Sequence, residues 1–154
     1  MEKIKKENLK MISPIILSSI NQNLKEIERN ELLETNIESG DYGLALSESD
    51  VKDIINSRDN TLKGYGRIEL DIKVTKQLIE NIYTSQYTNV DNYLEAINDM
   101  QEIFYYLKNE TDDKICDDEI IEILGEFYEK FSGNMDNVRG EADEFAKKFK
   151  FGEV

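Results

Sequence analysis

Apolar residues recur along this chain at helical spacing, and the clearest run lies between Asp91 and Asn109. Tyr93, Ile97, Met100, Phe104 and Leu107 advance by four, three, four and three, which puts all five on one helix face. Leu94 and Ile103 widen that face, and no Gly or Pro interrupts it. Its Leu, Glu, Ala, Met, Gln and Lys residues favour helix. The spacing predicts a central core helix.

Similar rows flank it. From Pro14, the residues Ile16, Ile20, Leu24 and Ile27 share a face, whereas Leu33 and Ile37 fall on the opposite side. Either the helix breaks near Arg29-Asn30 or it is buried on two sides. We take the break, with a second helix to about Glu38 and a stop at Ser39-Gly40-Asp41. Ser47-Glu48-Ser49-Asp50 has the form of a capping box, opening a helix to about Leu62 with Val51, Ile55, Arg58 and Leu62 inward. Thr75 to about Tyr83 is again helical.

Cys116-Asp117-Asp118-Glu119 resembles a second capping box, with cysteine in the serine's place, before a helix from Asp117 to Phe131. Gly125 sits on an inner row there, where its missing side chain would let another helix approach. Ser132-Gly133-Asn134 is a turn. A last helix, Asp136 to about Lys150, carries Met135, Val138, Ala142, Phe145 and Phe149 in one row.

One stretch alternates instead. Ile68, Leu70, Ile72 and Val74 face one way and Arg67, Glu69, Asp71 and Lys73 the other, the pattern of a half-buried strand. Its partner would be Tyr42–Leu46. The prediction is a mostly α, compact multi-helix domain of six or seven helices with a short two-stranded β ribbon at about 42–46 and 67–74. Residues 1–13 read as a flexible N-terminal segment and 14–154 as a single helical domain.

Composition narrows the classes. The chain has 154 residues, a single proline and scattered glycines, so no linker divides it. A lone cysteine, Cys116, forms no intramolecular disulfide and suits a reducing compartment. The lysines of MEKIKKENLK resemble the start of a signal peptide, but the apolar run Met11 to Leu17 is short and broken by Ser13-Pro14. No run approaches the roughly 18 apolar residues of a membrane span. The expectation is a cytoplasmic protein.

The net charge of −14 is uneven: residues 1–77 carry −2 and residues 78–154 carry −12. Such a field repels nucleic-acid phosphates and anionic membranes from the C-terminal half, leaving two readings of the charge: simple solubility, the plainer one, or a partner protein with a basic surface.

The runs Tyr42-Gly43-Leu44-Ala45-Leu46-Ser47, Gly66-Arg67-Ile68-Glu69-Leu70, Gln101-Glu102-Ile103-Phe104-Tyr105 and Lys108-Asn109-Glu110-Thr111 resemble a family of uncharacterised clostridial proteins of the Firmicutes, a domain of unknown function. Asp117-Asp118-Glu119 before an apolar helix matches it too, and the similarity spans roughly residues 25–150. The resemblance implies no activity, cofactor or site. It implies serine where Cys116 stands, which favours a capping role over a redox one.

Candidate chemistry is sparse. The chain has no histidine, which removes Ser-His-Asp and Cys-His catalysis, HExxH zinc sites and the Glu-x-x-His di-iron bundle. No nucleotide-binding or hydrolase motif occurs, and no cofactor is expected. Between Glu110 and Glu129, nine acids stand against Lys114. Started at Asp112 or Asp113, a calcium loop fails at its third position, which is Lys114 or Ile115.

The candidate interaction surface is Glu110, Asp112, Asp113, Asp117, Asp118, Glu122, Glu126 and Glu129, with Tyr105 and Tyr106 beside it. A plainer reading has Asp117, Asp118 and Glu119 stabilising a helix N-terminus and Glu122, Glu126 and Glu129 forming a solvated face. Two function classes follow. One is a non-catalytic interaction module, with an acidic nucleic-acid mimic as a special case. The other is a carboxylate-based enzyme, with or without a divalent metal, which needs carboxylates converging in a pocket.

Overall fold

A computed structural model describes residues 14–152. In chain order the helices are α1 (Pro14–Glu34), the single turn α2 (Asn36–Ser39), α3 (Glu48–Gly64), α4 (Lys73–Tyr83), α5 (Tyr93–Glu110), α6 (Asp117–Lys130) and α7 (Met135–Lys150). A 3-10 turn, Gly40–Tyr42, follows α2. The expected fraying of residues 1–13 lies outside the described residues. No described helix is long and apolar enough to cross a membrane.

The predicted core helix is the centre of the molecule. α5 packs against α3, α4, α6 and α7. It buries Tyr93, Ala96, Ile97, Met100, Ile103, Phe104, Tyr105 and Leu107, more than the one row that its strongest periodicity showed. Its buried Gln101 is tied on two sides: its Oε1 accepts from the Thr75 hydroxyl at 2.6 Å, and its Nε2 donates to the Ile54 carbonyl at 3.2 Å. One amide thus joins α3, α4 and α5. A polar group buried this deep is tolerated because both ends are hydrogen-bonded.

α3 begins at the predicted capping box, with Ser47 Oγ accepting from Asp50 N at 3.0 Å and Asp50 Oδ2 from Ser47 N at 2.9 Å. Cys116 occupies the N-cap of α6 but is exposed, and its thiol makes no capping bond. The capping box expected there is not formed. Gly125 does serve a close approach. A Cβ at that position would lie 2.4 Å from Asn81 Nδ2, which donates to the Ile121 carbonyl at 2.9 Å and so joins α4 to α6.

The β ribbon is overturned, because no strand occurs among the described residues. Both stretches find backbone partners in side chains instead. Leu44 and Leu46 are buried, and residues 44–47 belong to no helix or strand. The Asn36 amide accepts from Leu46 N at 2.8 Å and donates to Leu46 O at 2.9 Å, taking the place of a neighbouring strand. Gly43, at φ 75°, turns the chain into this segment. At the other stretch, Ile68 and Leu70 are 86% and 89% exposed, while Ile72 and Val74 are buried and α4 has already begun at Lys73. The alternation fails because Arg58 holds the strap from beneath. Its Nη2 donates to Glu69 O at 3.2 Å and Asp71 O at 2.5 Å.

Arg58 also explains the first helix. Its Nη1 reaches Glu28 at 3.3 Å, and Lys25 pairs with Asp59, so the inward row of α1 is Lys25, Glu28 and the fully buried Leu32. α1 therefore continues through Arg29-Asn30 and is interrupted at Thr35. The row Ile16, Ile20, Leu24 and Ile27 is left between 42% and 54% exposed.

Two outcomes test this packing. Arg58→Ala strips the strap carbonyls and Glu28 of a buried charged partner, and should cost about 3–5 kcal/mol in urea unfolding. Gly125→Ala should destabilise by about 1–2 kcal/mol despite alanine's better helix propensity. In an Asn81→Ala background most of that loss should vanish, since the clash partner is gone.

Candidate functional site

α3 and α7 both lie on α5 but pack little on each other, and the space between them is an open cleft of about 900 Å³. That volume falls within the range of small-ligand sites. Its floor is the α5 row Asn98, Glu102 and Tyr106 with Ile103 beside it. One wall is the α3 face Asp53, Asn56, Ser57, Asn60, Thr61 and Gly64, continued by Tyr65. The other wall is Arg139, Ala142 and Asp143 of α7.

The walls are braced by polar contacts to the floor. Arg139 Nη2 reaches from α7 to Asp99 at 2.6 Å and to Glu102 at 3.0 Å. One turn on, the Tyr106 hydroxyl donates to Asp143 Oδ1 at 2.6 Å, and Lys147 pairs with the same carboxylate at 3.0 Å. On the α3 side, Asn98 Nδ2 reaches Asp53 at 3.5 Å.

Electrostatics follow from these contacts. Burial, and next the hydrogen bond to Asp143, push the Tyr106 phenol up. Burial together with Glu110 and Glu102 does the same to Tyr65. Both phenols therefore stay protonated at neutral pH. The bond from Tyr106, followed by that from Lys147, holds the Asp143 carboxyl below the usual range. The cleft carries three carboxylates, Asp53, Glu102 and Asp143, and one cation, Arg139, whose charge is already shared between Asp99 and Glu102. Among the described residues, no three carboxylate or thiol side chains lie close enough together to hold a metal ion.

The chain belongs to the family of unknown function DUF6323. The family model matches residues 31–154, a span that holds every residue lining the cleft and omits most of α1. No curated protein and no solved structure matches the chain.

Nine of the ten residues singled out from the sequence lie outside the cleft. Glu110 pairs with Lys150, Asp113 with Arg67 at 2.8 Å, and Asp117 with Lys108 at 2.8 Å. Asp118 accepts from Gln77 at 3.1 Å. Asp112 and Asp113 form the α5–α6 turn at φ 52° and 59°, a left-handed conformation that aspartate tolerates better than most side chains. Glu122, Glu126 and Glu129 are exposed along α6. Tyr105 is 1% exposed, whereas Tyr106 is half-buried and is the one member of the set that lines the cleft.

The other cleft residues were not singled out, although α3 carried a signal. In a chain that is 34% charged, its positions 56, 57, 60 and 61 are all uncharged and polar, unlike an ordinary solvated helix surface.

Asp143 gives this arrangement a pH signature. A carboxyl held low in the fold stabilises it above the ordinary carboxylate range and ceases to as pH falls through the folded value. The stability advantage of the native chain over Asp143→Asn should therefore be present at neutral pH and fade below about pH 4. Tyr106→Phe should raise the Asp143 pKa in an NMR titration.

Proposed function

We propose that this protein is a non-catalytic binding module whose α3–α5–α7 cleft receives a basic segment of a partner protein. The observation that carries this reading is the excess of negative charge at the cleft: Asp53, Asp99, Glu102 and Asp143 outnumber the two cations, Arg139 and Lys147, that pair with the last three of them. A cationic side chain entering there meets carboxylates and, at the Tyr65 and Tyr106 end, aromatic faces that favour cations. The net charge of −14 extends the attraction beyond contact range and disfavours phosphate-bearing ligands. The exposed acids of α6 add to that long-range field without lining the cleft.

The same inventory supports binding over turnover. Ser57 and Thr61 are the hydroxyls of the α3 wall, and neither is hydrogen-bonded to a carboxylate among the described residues. With no histidine in the chain, the base that most often activates such hydroxyls is absent. The lone free cysteine fits a partner met in the reducing cytoplasm.

Selection from a random heptapeptide display library tests the reading. The native protein should enrich peptides rich in Lys and Arg, and a variant carrying Asp53→Asn, Glu102→Gln and Asp143→Asn should not. Affinity for an enriched peptide should fall at least tenfold between about 50 and 500 mM NaCl, as screening shortens the range of the field. Enrichment of acidic or purely apolar peptides, or of none, would count against it.

A further inference from the structure

Carboxylates account for attraction, but not for how a stretch of chain would be held in register. The uncharged face of α3 supplies that. Asn56 and Asn60 both line the cleft, both are exposed, and neither side chain is hydrogen-bonded among the described residues. Four residues apart on a helix, they stand about 6 Å from each other along its axis. Alternate residues of an extended chain are about 6.7 Å apart, and their N–H and C=O groups point to the same side. Over two sites the repeats agree to within roughly 1 Å.

A side-chain amide offers one acceptor oxygen and a donor nitrogen, the complement of one extended residue's backbone pair. This protein already uses that pairing within itself. The Asn36 amide accepts from Leu46 N at 2.8 Å and donates to Leu46 O at 2.9 Å, holding a non-helical segment against a helical turn with no strand beside it. The cleft leaves room for the same arrangement in trans. Gly64 continues the Asn56–Asn60 row, and a Cβ there would meet nothing within 4 Å.

Building on the reading of the cleft as a site for a basic segment, we propose that the segment binds as an extended strand laid along α3. The backbone N–H and C=O groups of two residues, two positions apart, pair with the amides of Asn56 and Asn60. Side chains of one parity then descend towards Glu102 and Tyr106, so basic residues recur at alternate positions. An amphipathic helix lying in the same groove would satisfy its own backbone and leave both asparagines unused.

The test uses a synthetic peptide of an enriched basic sequence, titrated calorimetrically against the full chain. Each backbone N–H is methylated in turn. Methylation at two positions spaced by two should weaken binding about tenfold each, and methylation at the residue between them less than about twofold. Asn56→Ala and Asn60→Ala should each cost about tenfold, and a methyl group at the position facing the substituted asparagine should cost nothing further. Alanine is the better helix former at both exposed sites, so the variants remain folded, which circular dichroism checks.

Methylation tolerated throughout, or equally costly in the alanine variants, overturns the strand arrangement. The cleft reading survives that result as long as the peptide still depends on Asp53, Glu102 and Asp143. A peptide indifferent to those carboxylates, or no basic peptide at all, overturns both.

Discussion

α5 has to be buried on nearly every side, and most of the structure follows from covering it. Its apolar positions spread well beyond one stripe, so helices on several sides are needed, and α3, α4, α6 and α7 provide them. Four helices around a fifth need not close. Between α3 and α7, the sector of α5 beneath them carries Asn98, Glu102 and Tyr106 in place of aliphatic residues. In the cleft the central helix thus presents polar side chains to an open space, and the chemistry there follows from that gap.

A second constraint is the supply of backbone hydrogen bonds outside the helices. The non-helical segment after α2 and the strap before α4 each lack a neighbouring strand, and buried carbonyls and amides need partners. Asn36 and Arg58 provide them. Arg58 is 2% exposed and survives burial because Glu28, Asp59 and two strap carbonyls surround its guanidinium. The same group thereby fixes α1 against α3. A local solution to an unpaired backbone has become a tertiary lock, and the amide pairing of Asn36 gives the pattern on which the cleft asparagines can act.

Much of the helical framework was legible from periodicity, because a buried helical row leaves a repeat that local sequence carries. The inward row Val51, Ile55, Arg58 and Leu62, the capping box at Ser47 and the close approach at Gly125 were all visible that way. The candidate site was far less so. Of its residues only Tyr106 stood out, and then for its place beside the core. Asn56, Asn60, Asn98, Arg139 and Asp143 come from three separate helices, and their meeting depends on interhelical geometry that no local pattern records. The dense acids of α6 drew attention away from them.

What the sequence determined by itself is the helical class, the central place of the helix through Ile97 and Phe104, the uneven charge, and the exclusion of histidine-based chemistry. These rest on residue counts and on spacings within a single element. Tertiary structure decided the rest. Ile68, Leu70, Ile72 and Val74 alternate as a strand would, yet Arg58, approaching from another element, breaks the segment into a strap and a helix start. Ile16, Ile20, Leu24 and Ile27 form an apolar row that packing leaves largely outside, because Glu28 and Lys25 are drawn towards Arg58 and Asp59. Alternation and amphipathicity report what a segment can bury. Which face it does bury is set by the partner it meets.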